Sequence, residues 1–443
     1  MAWLGGDKRA SDRRFAFGGL ALTDITRTDS PWWKSNPTHG KLVEIGGGSP
    51  VWGTFASLFV AVAVAMLGIG IIAPILPLYA DTFGASGLVI GVVFAAFSIS
   101  RSLLGPWIGR FSDRVGRKWI LLAGLGAFSL ISILYTVAGS IWELAVYRFL
   151  QGGASVMVTP IAQAYVGDIT PKGREGRMIN LLYAAMFFGV ALGPLLGGQL
   201  SALWSYDVAF GAMGGLSFIA LLLVWWTVPN DHGHRRIREE AARELVPLRR
   251  IAKEPAVKGI VAYFATRGFW RQGFSAFYPL FAMSNLGWSA AEIGTVLSAY
   301  FFAGGLLQIP FGYLADRFKR LPQVLVGSIG APLLLVLIPF IHATWEIVLV
   351  MFAMGALSAF SRASVLAIRT ELGRTHGMAT LAGLHGSSFA LGQMVGPMAF
   401  GGFSDAFGIG SVFPLGSIVG LVGSALVVYW LRHWGESGVS PAN

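Results

Sequence analysis

Twelve times between residues 54 and 431 the chain passes through about 20 residues that are almost free of charge, enough for a helix to cross a ~30 Å hydrocarbon layer. The stretches fall at 54–80, 87–108, 119–139, 142–167, 178–200, 207–229, 258–283, 291–314, 322–341, 346–370, 377–402 and 409–431. In hydrocarbon every backbone polar group must be satisfied internally, which leaves helices or closed barrels as the only spanning structures. Barrel strands alternate polar and apolar residues over segments of ~10, and these stretches do not alternate. Charged residues make up 12% of the chain, against roughly 25% in a soluble domain. A soluble helical protein would also need a polar face on each surface helix. The expected class is all-α and integral to a membrane, with twelve transmembrane helices.

The net charge of +11 would suit a nucleic-acid partner, but its distribution argues against one. All but five of the 33 Lys and Arg lie in the termini or in one alternating set of loops with the helix ends beside them, and the other set of loops has none. This is the positive-inside pattern, so the basic loops and both termini are expected to be cytoplasmic. Trp52, Trp119, Trp142, Trp204, Trp288, Trp345 and Trp430 stand at span ends, as interfacial anchors should. The chain has no cysteine, which excludes disulfides and thiolate metal sites. No metal site is expected: His232 and His234 make only a short His-x-His, and there is no His-Glu-x-x-His or phosphate-binding loop. An enzyme is not expected.

Residues 1–52 read as a cytoplasmic N-terminal tail without the apolar core of a signal peptide, and 433–443 as a cytoplasmic C-terminal tail. Residues 230–257 are the one long polar interruption, a cytoplasmic loop in which Arg235 to Leu245 is expected to form a surface helix stopped by Pro247. It separates a six-helix bundle at 53–229 from a second at 258–432. The halves repeat at a constant offset of 203 residues: Gly109, Asp113 and Arg114 map to Gly312, Asp316 and Arg317, Gly152 to Gly355, Asp168 to Glu371, and Gly189, Gly193 and Pro194 to Gly392, Gly396 and Pro397. The set at one offset indicates internal duplication, and parallel repeats with a substrate site between them are a transporter architecture.

The loop Gly109-Arg-Phe-Ser-Asp113-Arg114-Val-Gly116-Arg117-Lys118 resembles the signature loop of the major facilitator superfamily. Arg148-Phe-Leu-Gln151-Gly152-Gly153 in span 4 is similar to the family's second signature. Gly189-x3-Gly193-Pro194-x2-Gly197-Gly198 in span 5 resembles the signature of its drug-proton antiporter branch. The resemblance implies the major facilitator fold, twelve helices in two six-helix pseudo-repeats. It also implies a gating latch between the halves, with Asp168 paired to the basic residues of the first signature, and a role for Arg148 in substrate or proton coupling. The second copy of the loop, Gly312 to Arg320, carries Lys319 in place of Gly116, so a looser second latch is expected.

Ionisable residues inside spans are costly and usually functional. Arg101, Arg148, Arg267, Arg271 and Arg362 lie inside spans, while the acids stand at span ends. In the family, spans 1, 4, 7 and 10 line the central cavity. Arg267, Arg271, Phe274 and Tyr278 follow helical spacing on one face of span 7, with Trp270 beside it. Guanidinium forks with aromatics favour an anionic or polar-aromatic solute. No carboxylate lies at mid-depth to carry a proton, which leaves Asp81, Glu143 or His385, the last able to titrate near neutrality. Gln151 and Arg362 complete the candidate substrate and coupling residues.

The resemblance implies a secondary active transporter working by alternating access in the bilayer, with proton-coupled efflux of a small molecule as the first reading. No cofactor is expected beyond a proton or other coupling ion. The rivals are an importer or facilitator of an organic anion, metal chelate or siderophore, and a non-transporting assembly or sensing protein. A monomer in a bacterial inner (cytoplasmic) membrane, or a membrane derived from it, is expected.

Overall fold

The structure is a computed structural model that describes residues 51–170, 175–230 and 253–432. These form twelve long helices: α1 Val51–Asp81, α2 Gly87–Val115, α3 Arg117–Thr136, α4 Ile141–Ile169, α5 Glu175–Leu203, α6 Tyr206–Thr227, α7 Pro255–Leu286, α8 Ala290–Arg317, α9 Arg320–Leu335, α10 Thr344–His376, α11 Met378–Phe407 and α12 Val412–Leu431. There is no strand among the described residues. The expected spans and the helices agree to within a few residues, with three differences, the first being that α2 runs on to Val115. α10 runs on to His376, and α8 breaks at Leu307 into Ala290–Leu306 and Gln308–Arg317. Gly304 and Gly305 weaken that turn, and Pro310 has no N–H for the carbonyl of Leu306. The expected surface helix at Arg235 to Leu245 and most of the N-terminal tail lie outside the described residues.

Nine of the helices are individually long and apolar enough to cross a membrane. The other three are α4, α7 and α11, which carry Arg148 and Gln151, Arg267 and Arg271, and His385. Large apolar side chains such as Trp107, Trp226, Ile309 and Phe340 are exposed on the flanks. In water such a surface would aggregate; in lipid it is the required solvent contact. Of the expected anchors, Trp52, Trp119, Trp142, Trp204 and Trp345 are exposed, but Trp288 is 7% exposed and packs in the core.

One end of the described helices holds the basic α2–α3 and α8–α9 turns, and the other is closed by acid-capped turns. At this second end Ser86, Ser140, Ser205 and Ser289 accept hydrogen bonds from the backbone N–H groups of Val89, Glu143, Val208 and Glu292, starting α2, α4, α6 and α8. At the basic end α2 and α3 meet at the single residue Gly116, and α10 and α11 at Gly377. Their φ values of 101° and 93° favour glycine. Lys319 takes the place of Gly116 in the second half, and there the turn uses an extended Phe318 instead.

α1–α6 and α7–α12 pack as two bundles that share one hydrophobic core. That core joins Ile71, Ile75 and Leu76 of α1 to Phe277 of α7 and Ile293 and Val296 of α8. Towards the basic end the second bundle has a separate core of its own, built around Ile260, Phe264, Val365, Ile368 and Leu431. The bundles are therefore fused at the far end and independent near the basic one.

Candidate functional site between the two bundles

Two helix pairs make the seal at the far end. Pro194 and Gly198 of α5 lie against Gly294 and Ala290 of α8, so close that a Cβ on Gly294 would run into the Pro194 carbonyl oxygen. Pro397 and Gly401 of α11 lie in the same way against Gly91 and Gly87 of α2. Each residue of the first set is related to one of the second by the offset of 203, so the seal obeys the internal duplication. Gly189, Gly193 and Gly197 make a neighbouring stripe that faces Ala63, Leu67, Gly70 and Ile71 of α1. The span-5 motif thus packs its own bundle with one stripe and the other bundle with a second.

One feature of the seal breaks the symmetry. At the start of α8, Glu292 closes a capping box with Ser289. The equivalent position in α2 is Val89, and the carboxylate comes from the other bundle. Asp405 of α11 accepts from the N–H groups of Gly87 (2.6 Å) and Leu88 (2.9 Å). A carboxylate at a helix N-terminus also meets the positive end of the helix dipole.

At the basic end the signature residues fall at the α2–α3 turn. Arg117 pairs with Asp168 of α4 at 2.8 Å, and Lys118 donates to the Trp225 carbonyl at 2.8 Å. Arg320 and Glu371, each 203 residues on, form the same pair at 2.5 Å in the second bundle. Arg114 and Asp316 are exposed, and Arg317 stacks over Tyr313. The side chain of Asp113 lies outside the described residues. A Cβ at Gly109, Gly312, Gly383 or Gly386 would meet nothing within 4 Å, so these glycines do not serve the tight packing seen at the far end.

The interior arginines divide by partner. Arg148, 3% exposed, donates to Gln151 Oε1 at 2.8 Å beneath the rings of Phe94 and Phe97, and the Tyr135 hydroxyl donates to the same oxygen at 3.3 Å. Arg267 donates to the Ser358 carbonyl at 3.2 Å beside a cavity of about 20 Å³ enclosed by α7, α9, α10 and α12, room for one water. Arg362 bridges Gln308 Oε1 (2.6 Å) and the Gly304 carbonyl (2.7 Å) at the break in α8, with its guanidinium over Phe187 of the other bundle. Arg271 is half-buried between Phe301 of α8 and Phe389 of α11, 5.2 and 6.0 Å from the ring centres. Arg101 on α2 is also half-buried. Among the described residues neither Arg101 nor Arg271 has a hydrogen-bond or ion-pair partner.

His385 stacks on Phe264, and its Nδ1 lies 2.7 Å from Arg369 Nη1. Guanidinium has no acceptor, so Nδ1 must accept and the ring proton sits on Nε2. Trp270 is buried against Tyr300. Tyr278 is wholly buried and stacked on Phe274, so this conformation holds its ring in the core and not on a cavity wall. Sequence reasoning passed over Asp405 and Arg369. Both stand at helix ends, where a charge reads as solvated, and the partners of Asp405 are more than 300 residues away.

Two lipid-exposed bundles fused at one end, with unpaired charge held between them, define a membrane transporter built by duplication. The chain belongs to the Major Facilitator Superfamily, which it matches over residues 58–281 and again over 264–442. It is 25% identical over 371 residues to an MFS-type transporter of Methanocaldococcus jannaschii, covering 82% of this chain and 95% of that one. It is 24% identical over 383 residues to the quinolone resistance protein NorA of Staphylococcus aureus, covering 85% and 96%. Among solved structures it resembles a bacterial homologue of the human lysosomal transporter Spinster in an inward-facing, unoccupied conformation. The TM-score is 0.75 at 17% identity, over 89% of this chain and all of that one.

Proposed function

We propose that the protein is a proton-coupled efflux transporter of the bacterial inner membrane, with its basic loops and both termini in the cytoplasm. The observation that carries the efflux direction is the similarity to the quinolone resistance protein NorA, which covers 85% of this chain and 96% of that one. In this orientation the far end faces outward. The seal of α5 on α8 and α2 on α11 then belongs to a state that opens to the cytoplasm. Alternating access rocks the bundles about the central site until that seal parts and the basic end closes.

His385 is the group we assign to the proton. Nδ1 cannot hold both a proton and the hydrogen bond from Arg369, so proton uptake and Arg369 binding exclude each other. Phe264 on α7, Arg369 on α10 and His385 on α11 join three helices at that point. The positive charges of Arg369, Arg267 and Arg362 oppose a proton on the ring in this conformation, so uptake requires a state in which the ring has left Arg369. A change in protonation there changes how the three helices bind one another. A coupling ion can drive the switch only by such a differential interaction with the two states.

The test is transport into inside-out vesicles under an imposed proton gradient. His385→Gln should lose gradient-driven accumulation while keeping substrate counterflow, because glutamine still accepts from Arg369 but takes no proton. Undiminished accumulation would remove His385 from the coupling step. Movement of substrates only in the opposite sense would reverse the direction.

A further inference from the structure

We propose that Arg101 and Arg271 form a two-sided clamp for an oxyanion group (carboxylate, sulfonate or phosphate) of the transported solute, with Phe301 and Phe389 holding its aromatic body. The proposal rests on the transport reading above and names the chemistry of its substrate.

The first argument is one of partners. An arginine at membrane depth is costly unless something accepts its hydrogen bonds. Arg148, Arg267 and Arg362 have acceptors within the protein. Arg101 and Arg271 each bring five N–H donors and have no acceptor among the described residues. Nor does the sequence place an Asp or Glu near the middle of any span. An acceptor that the protein does not supply is one a ligand can supply, and the planar fork of guanidinium fits oxyanions in a bidentate way.

The second argument is position. Arg101 belongs to the first bundle and Arg271 to the second. α2 and α11 run antiparallel with Gly91 against Pro397, so Arg101, further along α2, stands near the level of Phe389, the α11 ring beside Arg271, and the like charges of Arg267 and Arg101 both act on Arg271. A ligand placed between them touches both moving parts. Without an anion, drawing the bundles together brings like charges closer; with one, the same motion completes two attractive contacts. That is the differential interaction an alternating carrier requires of its substrate.

The third argument comes from the duplication. The positions related to Arg101 and Arg271 by the offset of 203 are Gly304 and Gly68. The repeat preserves the sealing glycines, the sealing prolines and the Arg117–Asp168 type of ion pair, all of which serve architecture. It preserves none of the five interior arginines, these two among them. The rings of Phe301 and Phe389 on either side of Arg271 supply flat apolar surface for an aromatic solute.

The experiment measures binding to the full-length protein in lipid nanodiscs by titration calorimetry. The probes are 2-naphthoate and 2-naphthyl phosphate, with 2-naphthamide and naphthylmethylammonium as neutral and cationic counterparts. The expected result is that both oxyanions bind more tightly than the amide. Arg101→Gln and Arg271→Gln should each weaken them at least tenfold while changing amide binding less than twofold. Arg271→Lys, which keeps the charge and loses the fork, should fall between. Melting temperatures close to that of the parent protein confirm folding of each variant. Tighter binding of the ammonium, no binding of either oxyanion at millimolar concentration, or equal losses for amide and naphthoate would each overturn the clamp. A second arm separates the clamp from the transport reading. The chain has no native cysteine, so a single cysteine at Gly386 reports access from the basic end. If 2-naphthoate binds as expected and no ligand alters labelling at that site, the clamp stands and the alternating-access reading fails.

Discussion

Asp405 shows how one carboxylate can set a conformational balance. It caps the N-terminus of α2 from the other bundle, so its two hydrogen bonds exist only while the far end is shut. Charge-assisted bonds at an exposed site contribute on the order of 1 kcal/mol, which is about a fivefold change in the ratio of two states. Asp405→Asn removes the charge and sets an amide donor against a backbone N–H. Spin labels on cysteines at Thr82 and Ser284, both exposed near the far end, should show an about fivefold larger population with the far end parted. An unchanged distance distribution would make Asp405 an ordinary helix cap. A second residue-scale case is Gln151, whose oxygen accepts from both Arg148 and Tyr135. Gln151→Leu strands a buried guanidinium and a buried hydroxyl. The expected loss is about 2–3 kcal/mol, read as a lower melting temperature in detergent, with Gln151→Glu recovering most of it by keeping an acceptor.

At the scale of elements, α5 is the helix that joins the two tasks. Its Gly189, Gly193 and Gly197 stripe lets α1 lie against it, while Pro194 and Gly198 present backbone to α8. Small residues at such crossings permit backbone approach that lipid-facing residues would block. Gly294→Ala puts a methyl group where the Pro194 carbonyl stands, and Gly91→Ala does the same against Pro397. Overpacking of this kind typically costs about 1–3 kcal/mol. Because the two sites are related by the duplication, both substitutions should part the far end to a similar degree by cysteine accessibility. A large effect at one and none at the other would show that only one helix pair forms the gate. The glycine motif marked α5 in the sequence, but which glycines meet α1 and which meet α8 is known only from the structure. The break in α8 was marked less clearly. Gly304, Gly305 and Pro310 are the signal, but hydropathy runs straight through them, and it takes Arg362 binding the Gly304 carbonyl to fix where the helix parts.

For the whole molecule, the duplication was the most readable property, because it rests on residues that both halves must keep in order to fold. The Arg117–Asp168 and Arg320–Glu371 pairs and the Pro194–Gly294 and Pro397–Gly91 contacts turn the offset of 203 from a sequence pattern into a structural one. The interior charges were visible as residues but not as a site. Helical spacing placed Arg267 and Arg271 on one face, whereas the structure gives the first an acceptor within its own bundle and leaves the second unpaired. Which arginine finds a carbonyl depends on α10, whose Ser358 is 91 residues from Arg267 in the chain, and no local pattern contains that.

The unpaired guanidiniums have an electrical consequence. A centre with positive charge and no fixed counter-ion feels the membrane field, at about 2.3 kcal/mol per charge per 100 mV for a full crossing. In the orientation proposed above, with the basic loops inside, a cell's inside-negative potential draws the empty centre towards the cytoplasm, the side from which the proposed exporter would load. A bound monoanion lowers the charge that must move by one unit and a dianion by two, which offsets the two unpaired guanidiniums but not Arg148, Arg267 and Arg362. The loaded carrier would then turn outward against a smaller opposing field energy than the empty one, and its empty return would be pulled back by the field. Voltage steps across a planar bilayer should accordingly evoke transient charge movements in the empty protein, which shrink as 2-naphthyl phosphate saturates it and are smaller in Arg271→Gln. Reorientation in this design would be powered in part by the resting potential itself, with the carrier acting as its own voltage sensor.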